Sequence, residues 1–150
     1  MMTSFEPRNP DFASRVRQSF DAQTVMQTIN ASLGEVEPGR VVIELPYQTE
    51  LTQQHGFIHA GISSTIMDSA CGYAAFSLMP ADAEVLTIEF KINLLSPASG
   101  ERFRAIGVVR KSGRQVFVSE ADLFAHSGDS EKLVASMTGT LMAVYPKETT

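Results

Sequence analysis

Cysteine is almost missing from this chain of 150 residues: Cys71 is the only one. An intrachain disulfide and a multi-cysteine metal site are therefore excluded. Runs of Lys or Arg are missing too. The net charge is −5, which argues against an electrostatic grip on nucleic acid or on an anionic membrane. No apolar run nears the roughly 20 residues that a membrane-spanning helix needs. The opening MMTSFEPRNPDF lacks the apolar stretch of a signal peptide, so a cytoplasmic protein is the expectation. There is no internal repeat, no low-complexity tract and no linker. Hydrophobic residues make up 43% and charged residues 19%, a globular balance. The expectation is a single domain over 1–150, with its core at about 25–145.

What is there reads as an ordered set of elements. Asn9 can cap a helix with Pro10 at its first position. Phe12, Val16 and Phe20 recur every four residues, which predicts a short helix over about 10–20. Pro38-Gly39 between β-branched flanks predicts a hairpin. The segment 57–78 predicts the one long helix. VLTIEFKINLL alternates, with Leu86, Ile88, Phe90, Ile92 and Leu94 on one face and Thr87, Glu89, Lys91 and Asn93 on the other. Two further strands, ERFRAIGVVR and QVFVSEADLFAH, flank a compact turn at 111–114, and a last strand follows over about 132–145. Long strands in hairpins imply an antiparallel sheet, and one long helix can cover one face of it. The edges and the other face then favour a partner.

Asp68 stands out within the long helix. At 100° per residue, Ile58, Ile62, Ile66, Tyr73 and Phe76 share one sector of about 80°, the expected sheet-packing face. Asp68 lies elsewhere, among Gly61, Ser64, Thr65, Cys71, Gly72 and Ala75. All of these are small, so a ligand or a backbone can come close. A carboxylate there is unfavourable unless it is hydrogen-bonded or used. From the wheel alone, a structural Asp68 and a functional one are equally open.

The start of the same helix offers free N–H groups and partial positive charge. Such an end can hold an oxyanion. Asp68 follows His59 by nine residues, about 13 Å of rise, too far for one helix start and its own Asp68 to grip one atom. If both serve one site, two helices meet antiparallel, which points to a dimer with shared sites.

Other chemistry fits less well. Gly61-Ile62-Ser63-Ser64-Thr65 lacks the last glycine of a nucleophile elbow. His55 and His59 have zinc-like spacing, but the glutamate of the helical zinc motif is missing and Gly56 suggests that His55 precedes the helix. Cys71 reads as a small core residue. Glu89, on the Thr87 face, is a candidate second acid, with a solvated or interface role ahead of it. No metal or cofactor is expected.

At Gly56-Phe57-Ile58-His59-Ala60-Gly61, then Asp68, then Thr87 on a strand running to Ser96-Pro97, the sequence resembles the hotdog-fold acyl-CoA thioesterases of the phenylacetate-pathway (PaaI-like) type. The resemblance covers about 35–145. It implies an α+β hotdog fold, an antiparallel sheet wrapped around one long helix with a short N-terminal helix before it. It implies Asp68 as nucleophile or general base, the Ala60 N–H as polariser of the thioester carbonyl, and Gln53 and Thr87 as polar helpers. The substrate is expected to lie against His59, Gly61, Ser64, Thr65 and Gly72. The implied assembly is a homodimer with shared sites, or a tetramer built as a dimer of dimers. Two positions depart from the family pattern. Ala60 stands where relatives have glycine, and Gln53 where they often have Asn. These leave a non-catalytic acyl-CoA-binding or regulatory module as the alternative.

Overall fold

The computed structural model describes residues 4–147. Two short helices come first, α1 (Phe12–Ala22) and α2 (Thr24–Thr28), followed by the hairpin β1 (Ser32–Glu37) and β2 (Arg40–Pro46). A short 3-10 turn leads into the long helix α3 (Ala60–Phe76). Four strands complete the order: β3 (Glu84–Leu94), β4 (Arg102–Ser112), β5 (Val116–Ser127) and β6 (Ser130–Val144). All six strands pair antiparallel in one sheet, ordered β1-β2-β4-β5-β6-β3. The sheet wraps around α3.

The sequence places α1 two residues too early. Asn9 Oδ1 accepts from the Asp11 N–H at 3.0 Å, so Asn9 closes the turn before the helix and Asp11 becomes its N-cap. The five-residue α2 lies where no helix is predicted. Its buried Met26 and α1's buried Val16 and Phe20 join the core.

The helix face is the larger correction. Residues 57–59 precede α3, with Ile58 in an extended bridge to Thr52. Tyr73 and Phe76 pack with Phe20 of α1, with ring centroids 6.1 and 6.2 Å apart along the series. Contact with the sheet centres on the small side of the helix. The Ala70–Cys71 backbone lies so close over Gly107 of β4 that a Cβ there would sit 2.3 Å from the Ala70 oxygen. Phe103, Phe117, Leu123 and Leu141 fill the sheet side of the core around Ile66 and Met67. Helix α3 is thus buried nearly all round, which is why it carries no Lys, Arg or Glu.

Strand β3 also departs from its pattern. Thr87 pairs with Leu141 and Glu89 with Thr140, so Ile88 is an extra residue, a bulge. A one-residue insertion swaps the faces beyond it. Thr87 therefore shares the helix-side face with Leu141, while Glu89 turns to the outer face and accepts a hydrogen bond from the Thr140 hydroxyl. Glu89 is removed from the Thr87 face and from any role beside Asp68. The five apolar residues of β3 do not form one face either: Leu86 pairs with Met142 on the outer side, and Phe90, Ile92 and Leu94 pair with helix-side Gly139, Met137 and Ala135. Strand β3 is an edge, and its Leu86, Ile88, Phe90 and Leu94 are exposed.

Candidate active site

His59 is the N-cap of α3, and its Nδ1 accepts from the Gly61 N–H at 2.8 Å. The Ile62 and Ser63 N–H groups both donate to the His59 carbonyl. These bonds use up the neighbouring donors and leave the Ala60 N–H without an acceptor among the described residues. Removing the cap by His59→Ala is expected to lower stability by about 1 kcal/mol, seen as a lower thermal midpoint.

Ala60 lines a cleft of about 490 Å³ together with Gln53, Phe57, Ser63, Leu94 and Val134. Gln53 is fixed by its own turn. Its N–H donates to the Phe57 carbonyl at 2.8 Å, and its side-chain Oε1 accepts from the His55 N–H. The amide's NH₂ end is then the one left to serve a ligand. His55 is exposed in the turn that Gly56 closes with φ of +82°, so His55 and His59 do not share a helical face.

Asp68 lines a second cavity, of about 270 Å³, with Thr87, Gly72, Ser69, Gln23 and Tyr73. The Thr87 hydroxyl donates to Asp68 Oδ1 at 2.8 Å. Burial holds the Asp68 carboxyl above the ordinary aspartate range, and the Thr87 hydrogen bond pulls the other way. A carboxylate in that condition is a better base than one in water. Cys71, one turn on, is buried and its thiol is pushed up to about 12, first by burial and then by Asp68 and Glu120. It stays a thiol, as befits a core residue.

The residues singled out in the sequence thus divide between two places. Asp68, Thr87 and Gly72 meet in one cavity; Ala60 and Gln53 meet in the other. His59 and Gly61 are joined to each other, and the hydroxyls of Ser64 and Thr65 donate to the carbonyls of Ala60 and Gly61, each at 2.8 Å. Ser19, Gln23 and Ser69 were not foreseen. Ser19 and Gln23 come from α1 and its junction with α2, some 45 residues before Asp68, and no local spacing could connect them to it.

Arg15 fixes that junction in place. Its guanidinium stacks 4.5 Å over the Phe76 ring, pairs with Glu84 at 3.1 Å and donates to the carbonyls of Pro80 and Ala83. Helix α1 is therefore clamped across the end of α3 and the start of β3, and becomes a wall of the Asp68 cavity.

An antiparallel sheet curled around one long helix is the hotdog architecture. Residues 55–132 match the model of the thioesterase superfamily, and the chain belongs to that family. A thioesterase family protein from Silicibacter pomeroyi is similar in structure with a TM-score of 0.89 and 52% identity, over 90% of this chain and 99% of that one. Acyl-coenzyme A thioesterase 13 of Homo sapiens is 25% identical over 114 residues, 72% of this chain and 81% of that protein. The E. coli PaaI protein, from the phenylacetic acid degradation operon, shares the fold at 17% identity, with a TM-score of 0.81 over 91% of this chain and 96% of that one. Among the described residues no helix is long and apolar enough to cross a membrane.

Proposed function

We propose that this chain is an acyl-CoA thioesterase, acting as one hotdog domain paired with a second copy, and that Asp68 carries its chemistry. The observation that carries this reading is the Asp68 carboxylate, partly withdrawn from water and held by Thr87 beside a ligand-sized cavity. A thiolate leaves readily, so one base or nucleophile and one oxyanion donor suffice for hydrolysis. In this reading Asp68 activates water or attacks the thioester carbon. The Ala60 N–H receives the charge that develops on the carbonyl oxygen, helped by the Gln53 amide. Thr87 orients the carboxylate. The tetrahedral intermediate then collapses to free acid and CoA.

One copy does not bring these groups onto one atom. Ala60 and Asp68 are eight residues apart on one rigid helix, about 12 Å of rise, and they line separate cavities. The exposed apolar edge at β3 supports pairing with a second copy, since an unpaired strand edge recruits another strand. Antiparallel pairing sets the Ala60–Gln53 end of one copy against the Asp68–Thr87 end of the other. Homodimers, and tetramers built from two of them, follow as the proposed assembly.

Thiol release from a panel of aromatic and aliphatic acyl-CoAs tests the reading, with Asp68→Asn beside the wild type. Turnover abolished by the substitution is the expected result. Equal turnover by both would sink the role of Asp68. The pH profile gives a second check. The active form is the ionised carboxylate, so kcat/KM falls on the acid side, with a midpoint above the ordinary aspartate range. Thr87→Val removes the bond that favours ionisation and is expected to move that midpoint higher. A midpoint that stays fixed would detach Thr87 from Asp68.

A further inference from the structure

Ser63, from the stretch that resembles an incomplete nucleophile elbow, has no part in the scheme above, yet it lines the same cleft as Ala60. The residue is 2% exposed. A buried serine inside a helix ordinarily satisfies its hydroxyl on the carbonyl one turn back. Its two successors do so: Ser64 donates to the Ala60 carbonyl and Thr65 to the Gly61 carbonyl, each at 2.8 Å.

For Ser63 both local acceptors are already full. The His59 carbonyl takes the Ile62 N–H at 2.9 Å and the Ser63 N–H at 3.1 Å. The Ala60 carbonyl takes the Ser64 hydroxyl beside its regular helical partner, the Ser64 N–H. A carbonyl oxygen has two lone pairs, so neither has one left. The Ser63 hydroxyl thus has no partner among the described residues. Nor is it sealed in. The enclosed side-chain atoms without partners among those residues are Ser119 Oγ and His126 Nε2; Ser63 Oγ opens onto the cleft.

Ser63 follows Ala60 by three residues, about 4.5 Å of rise and about 60° around the helix. Its side chain leans back toward the helix start, so the hydroxyl and the unpaired Ala60 N–H converge on one cleft. A serine nucleophile needs a base within hydrogen-bond reach. None holds this hydroxyl, and His59 Nδ1 is engaged by the Gly61 N–H. Ser63 is left with a proton to donate.

We propose that the Ser63 hydroxyl is a second hydrogen-bond donor to the thioester carbonyl oxygen, alongside the Ala60 N–H. This rests on the proposed function, because it takes the carbonyl to lie at Ala60. Ser63 forms no bond to the acyl group; it steadies the charge that develops on the oxygen.

The test compares Ser63→Ala with the wild type. The variant's kcat for thiol release is expected to fall on the order of 10²-fold with KM little changed, the loss of one oxyanion donor. Two inert CoA ligands then isolate the carbonyl. They are built on the acyl group turned over fastest in the panel above, or on benzoyl where none is turned over. The ketone analogue, with CH₂ in place of the thioester sulfur, keeps the oxygen; the S-alkyl thioether lacks it. Ser63→Ala is expected to weaken ketone binding about fivefold, the worth of one hydrogen bond, and to leave thioether binding unchanged. Its thermal midpoint should hold or rise, since a buried hydroxyl without a partner is removed. A lower midpoint or an unfolded variant identifies a structural serine and overturns the inference. So does an unchanged kcat, or an equal change for both ligands. Each of these leaves the roles of Asp68 and Ala60 standing. A wild type that binds the ketone but releases no thiol overturns the thioesterase reading, and the ligand comparison still decides the contact at Ser63. A wild type that binds neither ligand overturns both.

Discussion

Asp68→Asn is expected to lower kcat on the order of 10²-fold or more with little change in KM, the pattern of a group that acts in the transition state rather than in holding substrate. The asparagine keeps the size of the side chain and can still accept from Thr87, so substrate should meet the same cavity. What is lost is the negative charge and the basic oxygen. Stability provides the control. Burial raises the folded-state pKa of Asp68, so ionising it opposes folding. The wild type is therefore expected to lose stability as pH rises from the ordinary aspartate range through the raised folded value. Asparagine has no such titration. At neutral pH the variant should be at least as stable as the wild type, and the difference should vanish in acid. Thermal melts at two pH values measure this. An inactive variant that is also markedly less stable would point to a structural aspartate instead.

Gly107→Ala is expected to be the most damaging single methyl in the core. Its Cβ would lie 2.3 Å from the Ala70 carbonyl oxygen and 2.4 Å from the carbonyl carbon. Both obstacles are backbone atoms of a buried helix, so no side chain can turn aside. Overpacking costs about 1–3 kcal/mol, and a rigid obstacle places this case at the upper end. For a chain of this size, that corresponds to a fall of about 6–12 °C in the thermal midpoint. Helix α3 also carries Asp68, two residues before Ala70, so activity should fall along with stability. An unchanged midpoint would mean that the helix stands further from β4 than described. By contrast, Gly139→Ala meets nothing closer than 3.7 Å and serves as the tolerated comparison.

The chain's order of elements was legible because each carries its own period. Phe12, Val16 and Phe20 mark α1, Pro38-Gly39 marks the hairpin, and the long strands alternate. Asp68 was legible for a different reason: it is the single charge on a helix otherwise made of small and apolar residues. Its partner Thr87 was found only through family resemblance, since 19 residues and a change of element separate the two. Two features stayed hidden. The bulge at Ile88 is invisible in VLTIEFKINLL, where the alternation runs unbroken. Only the register against β6 reveals that Thr87 and Glu89 face opposite ways. The helix's sheet-facing side was also misjudged, because hydrophobicity marks large residues while close packing selects small ones. Ala70 and Cys71 meet Gly107 there, and the large Tyr73 and Phe76 meet α1.

The sequence by itself determined the antiparallel sheet, the one long helix, the lone carboxylate and the helix start with spare N–H groups. Local periodicity and backbone chemistry suffice for each. Tertiary structure alone decided that Ala60 and Asp68 face separate cavities, that His59 takes the Gly61 N–H and leaves Ala60 the free donor, and that Gln23 reaches the wall of the Asp68 cavity. Those outcomes depend on where Arg15 clamps α1 and on how the sheet curls, and such distances between remote residues are set by packing rather than by spacing along the chain.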